Sequence, residues 1–362
     1  MRLLLAPDSF KGTLTAVEAA ECMAAGIRRH FPAAQTICLP LADGGEGSLE
    51  GVLRTCGGRR ETSAARGVDG AWGRYAWGRI LLDGQDTALI EAAQVIGWAD
   101  ARRVPPWQRT TLGVGDLITA ALAAGVQRIC LALGGTATTD GGLGLLMALG
   151  AKFFSADGSL LPPFVSLGQP MARADLTALA SLRKVPLCLL TDVNNPLLGA
   201  AGAAQAFGPQ KGLSAGECLQ ADAWLESLVR VTQGNEWAAT PGSGAAGGLG
   251  FAGLLLGGSV LPGAETIMRW LGFAQALHWA DWVVTGEGKT DATTLRGKLP
   301  WVVARAARQA GKPAALIAGQ LEQGVDWAGC FSQVISCQSS ALMPDAATAC
   351  RLLQAATGRL QL

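Results

Sequence analysis

Histidine is nearly absent, with only His30 and His278 in 362 residues. Zinc sites draw on His and paired Cys ligands, so with two histidines and no Cys-x-x-Cys pair a zinc centre is not expected. A Ser-His-Asp triad is excluded too, because Ser9 lacks a Gly-x-Ser-x-Gly elbow and no base is at hand. The nine cysteines are odd in number and scattered, with no Cys-x-x-Cys pair. Each is expected to be a reduced core residue. Charge is sparse: 16% of residues are charged, the net charge is +1, and there is no basic block. Nucleic acid and anionic membrane surfaces are therefore not expected partners. Apolar runs are broken by glycine or charge well short of the roughly 20 residues that span a membrane. The first residues enter a strand pattern at once, without the layout of a secretory signal, so a cytoplasmic location is expected.

What the chain does have is apolar residues, at 49%, and 49 glycines. Its length suggests roughly two domains of about 150 residues or more. One phrase recurs: a short apolar run that ends in glycine mixed with carboxylates. Leu3–Leu5 leads into Asp8-Ser9-Phe10-Lys11-Gly12, and Ile37–Leu39 leads into Asp43-Gly44-Gly45-Glu46-Gly47. Trp282–Val284 leads into Gly286-Glu287-Gly288-Lys289-Thr290-Asp291. Each reads as a buried strand feeding a polar loop. In open α/β sheets, ligands sit outside the carboxyl ends of the strands.

Strand and helix patterns alternate at both ends of the chain. A strand over 2–7 precedes a helix over Ala16–Arg29, with Thr15 and Glu18 spaced as a capping box. A strand near 36–40 and a helix from Ser48 follow. The tail offers strands at 281–285, 314–318 and 332–336, with helices at 299–310 and 345–356. Between them lie short β segments at 61–66, 72–82 and 87–91, then a return to α/β order and a glycine-containing loop over 157–170. The fold class expected is α/β: a discontinuous flavodoxin-like (Rossmann-like) parallel-sheet domain made of 1–59 plus 279–362, with an inserted mixed α/β domain over 60–278.

Several strings invite labels. Gly286–Thr290 looks like a P-loop, but the glycine required five positions before Gly288 of the Gly-Lys pair is Val283 here. Two Gly-x-Gly-x-x-Gly strings lie in 242–253, without a convincing strand before them, so a dinucleotide fold is not supported. A glycine run entering a helix still presents backbone N–H groups to an anion, and close helix packing explains it equally well. Gly134–Gly142 carries three threonine hydroxyls and Asp140 between a strand and a helix, where the helix dipole favours an anion. Its plainer alternative is an ordinary capped turn. Asp192 with Asn194 and Asn195 offers a metal or hydroxyl site, or an Asx-turn before Pro196. Lys211 sits in a turn from which it could reach a phosphate. Carboxylates, lysines and glycine amides suit phosphoryl transfer, in which catalysis is mostly positioning and charge neutralisation.

Taken in order, these strings resemble the bacterial glycerate kinase family, the type without a P-loop. The resemblance rests on 6–12, 42–47, 135–142, 192–196, 207–212, 244–250 and 285–288, and spans nearly the whole chain. It implies ATP-dependent phosphorylation of D-glycerate with Mg²⁺, giving 2-phosphoglycerate in this branch. Where the family reads Gly-Ser-Ala-Thr-Asn-Asp-Gly-Gly, Thr136 and Thr139 stand for Ser and Asn. Lys289 stands for the family's Arg and Thr293 for its Gln, while Asp291, Gly297 and Lys298 match. Lys lacks the bidentate fork of Arg, so this loop is where substrate preference would differ.

On this basis Asp291 is the expected base, with Asp192 second, and Lys11 and Lys298 are expected to contact glycerate or the moving phosphate. Asp8, Ser9, Glu287, Lys289 and Thr293 complete the expected substrate site. Gly135, Thr136, Thr138, Asp140, Gly141, Lys211, Gly247 and Gly248 are expected to hold ATP phosphates. Asp43, Glu46 and Asp192 are the expected Mg²⁺ ligands. Two other classes stay open: a nicotinamide-dependent dehydrogenase of a small hydroxy acid, and a non-catalytic sensor of a phosphorylated metabolite. Oligomeric state is left open between monomer and homodimer.

Overall fold

The computed structural model describes residues 1–162, 168–337 and 344–362. In chain order its strands are β1 (Arg2–Leu5), β2 (Gln35–Cys38), β3 (Arg59–Arg66), β4 (Trp72–Leu82), β5 (Gln85–Glu91), β6 (Arg128–Ala132) and β7 (Lys152–Phe154). They continue as β8 (Arg173–Asp175), β9 (Leu187–Leu190), β10 (Ser259–Leu261), β11 (Trp282–Thr290), β12 (Ala314–Leu321) and β13 (Gln333–Ser336). Of the stretch 157–170 expected as a loop, residues 163–167 lie outside the described residues. Among the described residues, no helix is long and apolar enough to cross a membrane.

The chain forms two compact units, one of 1–43, 50–56 and 264–362, the other of 44–49 and 57–263. The first unit holds a five-stranded sheet in the order β13-β12-β11-β1-β2, parallel throughout. Renumbered along the unit, that is the 2-1-3-4-5 order of flavodoxin-like folds. The division after Gly263 differs from the expected 278. The helix Phe273–Trp279 packs on β1, and so belongs with the first sheet rather than with the insert. The helix Ala16–His30 begins at the Thr15–Glu18 capping box read from the sequence. It buries Ala19, Met23 and Ile27 against Leu3, Leu5, Val284 and Ile317, and the helix Ala346–Thr357 supplies Leu353 and Ala356 to the same core.

Two expectations are corrected in this unit. Cys22 and Cys350 are not separate reduced thiols but a disulfide, because these two helices bring their Cα atoms to 5.4 Å across 328 residues of sequence. The polar string after Thr285 is not a loop. β11 runs on to Thr290, paired with β12 as far as Leu321. Glycine permits that. A Cβ at Gly319 would lie 2.4 Å from the Gly288 carbonyl oxygen, and one at Gly286 would lie 2.3 Å from that of Ile317.

The second unit holds a mixed six-stranded sheet in the order β10-β9-β6-β5-β4-β3. β3, β4 and β5 form an antiparallel meander, while β5, β6, β9 and β10 are parallel. The change from alternating turns to βα order near residue 91 marks that switch in the sequence. The core gathers Ile90, Leu131 and Leu189 from the strands with Leu117, Leu145, Leu225 and Phe251 from the helices. The two glycine loops meet here. The Gly141 N–H donates to the Gly247 carbonyl at 2.9 Å. Gly247 has φ +68°, and a Cβ there would lie 2.0 Å from the Thr138 carbonyl oxygen.

Gly247→Ala is therefore expected to destabilise the protein by about 1–3 kcal/mol, through overpacking and backbone strain together. A urea denaturation midpoint equal to that of the unsubstituted protein would show that the loops can part without cost.

Candidate active site

The parallel register of the first unit puts the carboxyl ends of β1, β2, β11 and β12 on one edge. Backbone pairing continues past the strands: the Asp8 N–H donates to the Gly286 carbonyl at 2.8 Å and the Leu41 N–H to that of Pro7 at 3.0 Å. Asp8, Asp43 and Glu287 thereby emerge side by side. They line a cavity of about 390 Å³ together with Ser9, Lys11, Lys289, Asp291 and Lys298. The cavity lies between β1 and β11, the point where strand order reverses and where ligands of such sheets bind. Lys11 is carried on a tight turn closed by the Leu14 N–H donating to the Phe10 carbonyl at 3.0 Å. Sequence reasoning overlooked Gln320, near the end of β12, and Cys337, just past β13, which line the wall without belonging to a motif.

Asp8 is 8% exposed, and its Oδ1 accepts the Ser9 N–H at 2.6 Å. Burial, then the neighbouring Asp43, pushes its carboxyl up to about 8, against the pull of Lys11. Glu287 is also raised by burial, opposed by the Thr294 hydroxyl, which donates to its Oε1 at 2.7 Å. Asp291 differs. Burial raises it, but the Thr293 hydroxyl and Lys298 outweigh that and hold the carboxyl below its ordinary value. Lys298 Nζ lies 3.2 Å from Asp291 Oδ1, which also accepts the Thr293 N–H at 3.0 Å and the Thr293 hydroxyl. Thr293 is itself exposed and is a buttress to Asp291.

The remaining expected residues lie in the second unit. Glu46 and Asp192 are exposed, and Asp192 Oδ1 accepts the Gly263 N–H at 2.8 Å. Among the described residues, no group of three or more His, Cys, Asp or Glu side chains is arranged to hold a metal ion. In the loop after β6, Gly135 is exposed and Thr136 is 6% exposed. Deeper in, Asp140 accepts four bonds: from the Thr111 N–H at 2.9 Å and hydroxyl at 2.8 Å, the Gly142 N–H at 3.1 Å and the Gly144 N–H at 3.2 Å. Lys211 is 3% exposed, and its Nζ donates to the Thr138 carbonyl at 2.6 Å. Gly141, Gly247 and Gly248 are buried in the contact between the two loops. Glu91 went unnoticed in the sequence although it repeats the opening phrase, an apolar run ending in a carboxylate. It is 1% exposed, and its Oε2 accepts the Leu49 N–H at 3.0 Å at the start of the helix Ser48–Cys56. The Gly-x-Gly strings of 242–253 are preceded by the short helix Asn235–Ala238, not by a strand.

A family model described as "Glycerate kinase family" matches residues 3–359. The chain is 37% identical to "Glycerate kinase" of Halalkalibacterium halodurans, over 90% of this chain and 87% of that one. It is 36% identical to "Glycerate 2-kinase" of Escherichia coli, over 90% and 87%. Among solved structures it is similar to the crystal structure of "putative glycerate kinase 2" from Salmonella typhimurium LT2. That match has a TM-score of 0.80 and 32% identity, over 99% of this chain and 96% of that one.

The buried Lys211 gives a pH test. Burial lowers its ammonium from 10.5 to about 7. Between those values the unfolded chain binds the extra proton, so this group's contribution to stability rises with pH from about 7 upward. The stability gap between the wild type and Lys211→Met should therefore shift in favour of the wild type from pH 7 to pH 9 in urea titrations. A gap independent of pH would mean that Lys211 stays charged where it lies.

Proposed function

The chain belongs to the glycerate kinase family, and from that premise we propose that it transfers the γ-phosphoryl group of ATP to the 2-hydroxyl of D-glycerate, giving 2-phospho-D-glycerate and ADP. The observation that carries this reading is the cavity at the β1/β11 switch point. Its volume of about 390 Å³ suits a small ligand, and it sets lysines and carboxylates around one space. In this reading Lys11 and Lys298 hold the glycerate carboxylate through charge-assisted hydrogen bonds. Asp291 accepts the proton of the attacking hydroxyl, and its pairing with Lys298 keeps it ionised until then. Lys289 and Thr293, which replace Arg and Gln of the family pattern, tune the same loop: Lys289 from the cavity wall and Thr293 through Asp291.

Gly135 is the part of the second unit's loop that is open to phosphate oxygens, with the buried Thr136 beside it, and its backbone N–H suits that task. Thr138, Asp140, Gly141, Lys211, Gly247 and Gly248 form the buried frame that holds this loop. Mg²⁺ fits the donor chemistry at hand. It takes one or two carboxylates and fills its shell with phosphate oxygens and water, rather than requiring a closed protein cage. Asp43, Glu46 and Asp192 are the candidates to hold it, with Asp192 second to Asp291 as base. Bound there, the ion would neutralise charge on the transferring phosphate. A cytoplasmic setting supplies ATP, and there the Cys22–Cys350 bond would meet thiol reductants.

Purified protein, D-glycerate and MgATP, coupled to enolase, should give signal without added phosphoglycerate mutase. A signal that requires the mutase would move the product to the 3-phosphate, and no ADP formation would overturn the kinase reading. Asp291→Asn should lower kcat by about 10²–10⁴-fold. Lys11→Ala should mainly raise KM for glycerate, by about 10–100-fold, as expected for a lost hydrogen bond to a charged group.

A further inference from the structure

Thr294 belongs to none of the roles assigned so far, yet several site residues converge on it. It lies on a short turn, Thr294–Arg296, between β11 and the helix Leu299–Gln309, and it is completely buried. Its hydroxyl donates to Glu287 Oε1 at 2.7 Å and accepts the Asp291 N–H at 3.3 Å. Its own N–H donates to the Asp291 carbonyl at 2.8 Å, and its carbonyl accepts the Lys298 N–H at 3.3 Å. One buried residue thus ties Glu287 on the strand to both partners of the Asp291–Lys298 ion pair. The neighbouring ties are at the surface: the Ala292 N–H to Glu322 at 2.8 Å, and Thr293 to Asp291.

We propose that Thr294 is the positioning residue of this cavity, fixing Asp291 and Lys298 against Glu287 so that the substrate's hydroxyl and carboxylate are held in one orientation. Glu287, 7% exposed, accepts a 2.7 Å hydrogen bond from that hydroxyl, which stabilises its carboxylate more than the nearby Thr290 hydroxyl does. Removing the hydroxyl leaves a buried carboxylate short of a partner and frees the turn that carries Asp291 and Lys298. A buried group left unpaired loses more than the bond itself was worth. The effect should fall on the substrate that this cavity receives, because all the tied residues line it. The identity of that substrate rests on the functional reading above.

The test compares Thr294→Val, which keeps the shape and removes the hydroxyl, with Thr294→Ser, which keeps the hydroxyl. Each is measured per folded enzyme by thermal melt and circular dichroism. For Val, kcat/KM for D-glycerate should fall about 10–100-fold, while KM for ATP at saturating glycerate stays within about twofold. Ser should recover most of the loss. A purely structural role would instead lower the folded fraction, scale kcat for both substrates alike and leave both KM values in place. Val with wild-type glycerate kinetics overturns the assignment, and so does Ser as impaired as Val. Failure of both Val and Thr294→Ala to fold counts against it as well, since the role would then be structural. The wild type is assayed first. No glycerate turnover there overturns the functional reading, whereas an active wild type with an unimpaired Val variant overturns only the role of Thr294.

Discussion

The close approach of main chains at the carboxyl edge of the first sheet governs what the rest of that unit can do. β11 passes so near the Phe10–Lys11 segment that a Cβ at Gly288 would lie 3.1 Å from the Lys11 nitrogen. On its other side β12 comes close enough that Gly319 must also lack a side chain. A larger residue at either place would push the strands apart. Because they stay together, β11 and β12 remain paired as far as Thr290 and Leu321. Glu287 is thereby held in the sheet rather than on a loop, and the turn carrying Asp291 and Lys298 starts from a fixed point. The glycines that resemble a nucleotide loop in one dimension are, in three, the condition for a rigid floor beneath the cavity.

The two units use buried carboxylates in opposite ways, and counting hydrogen bonds separates the uses. Asp140 receives four donors and joins the starts of the helices Leu112–Ala123 and Leu143–Ala148. Three of the bonds go to Oδ2 and one to Oδ1, and with so many donors from its own fold the side chain is held in place as a brace between the two helices. Asp8 is nearly as buried, but it receives one short bond from Ser9 and has Asp43 as a like-charged neighbour in the cavity wall. A buried carboxylate with so few donors and a like-charged neighbour is costly to keep ionised. Such an arrangement persists where a ligand or cation supplies what the protein does not. Lys211 matches Asp140 in the second unit: it is sealed in and satisfied by the Thr138 carbonyl. It supports the loop from behind.

Much of this was legible in the sequence because it depends on local rules. The capping box at Thr15, the strand end at Leu5, and the meander of β3 to β5 all follow from spacing. The gathering of Asp8, Asp43 and Glu287 followed from parallel order alone, since equal register brings carboxyl ends together. Depth was not legible. Asp8 and Asp140 both stand near a strand end beside small residues, and nothing in that pattern says which one the tertiary fold will saturate with donors. The extension of β11 was hidden because glycine and charge read as loop when the partner strand is unseen. Thr293 drew notice because it stands where the family has Gln, and Thr294 did not, because a string does not show which of two adjacent hydroxyls is buried. The Cys22–Cys350 pairing depends on two helices meeting across nearly the whole chain, a distance over which spacing carries no information.

The charge inventory of the cavity bears on how an anion could enter it at all. Asp8, Asp43, Glu287 and Asp291 line the space with Lys11, Lys289 and Lys298. If all were ionised, a negatively charged hydroxy acid would meet an excess of negative charge. Burial changes that balance, because it lifts Asp8 to about 8 and raises Glu287 as well. At neutral pH Asp8 then holds a proton for most of the time, which removes the excess of negative charge, and the upward shift of Glu287 works in the same direction. Asp291 is held in the opposite direction, since Thr293 and Lys298 keep its carboxyl below the ordinary value and ionised. The same burial that makes the carboxylates expensive thus divides them into neutral and charged members, and leaves room for one more anion.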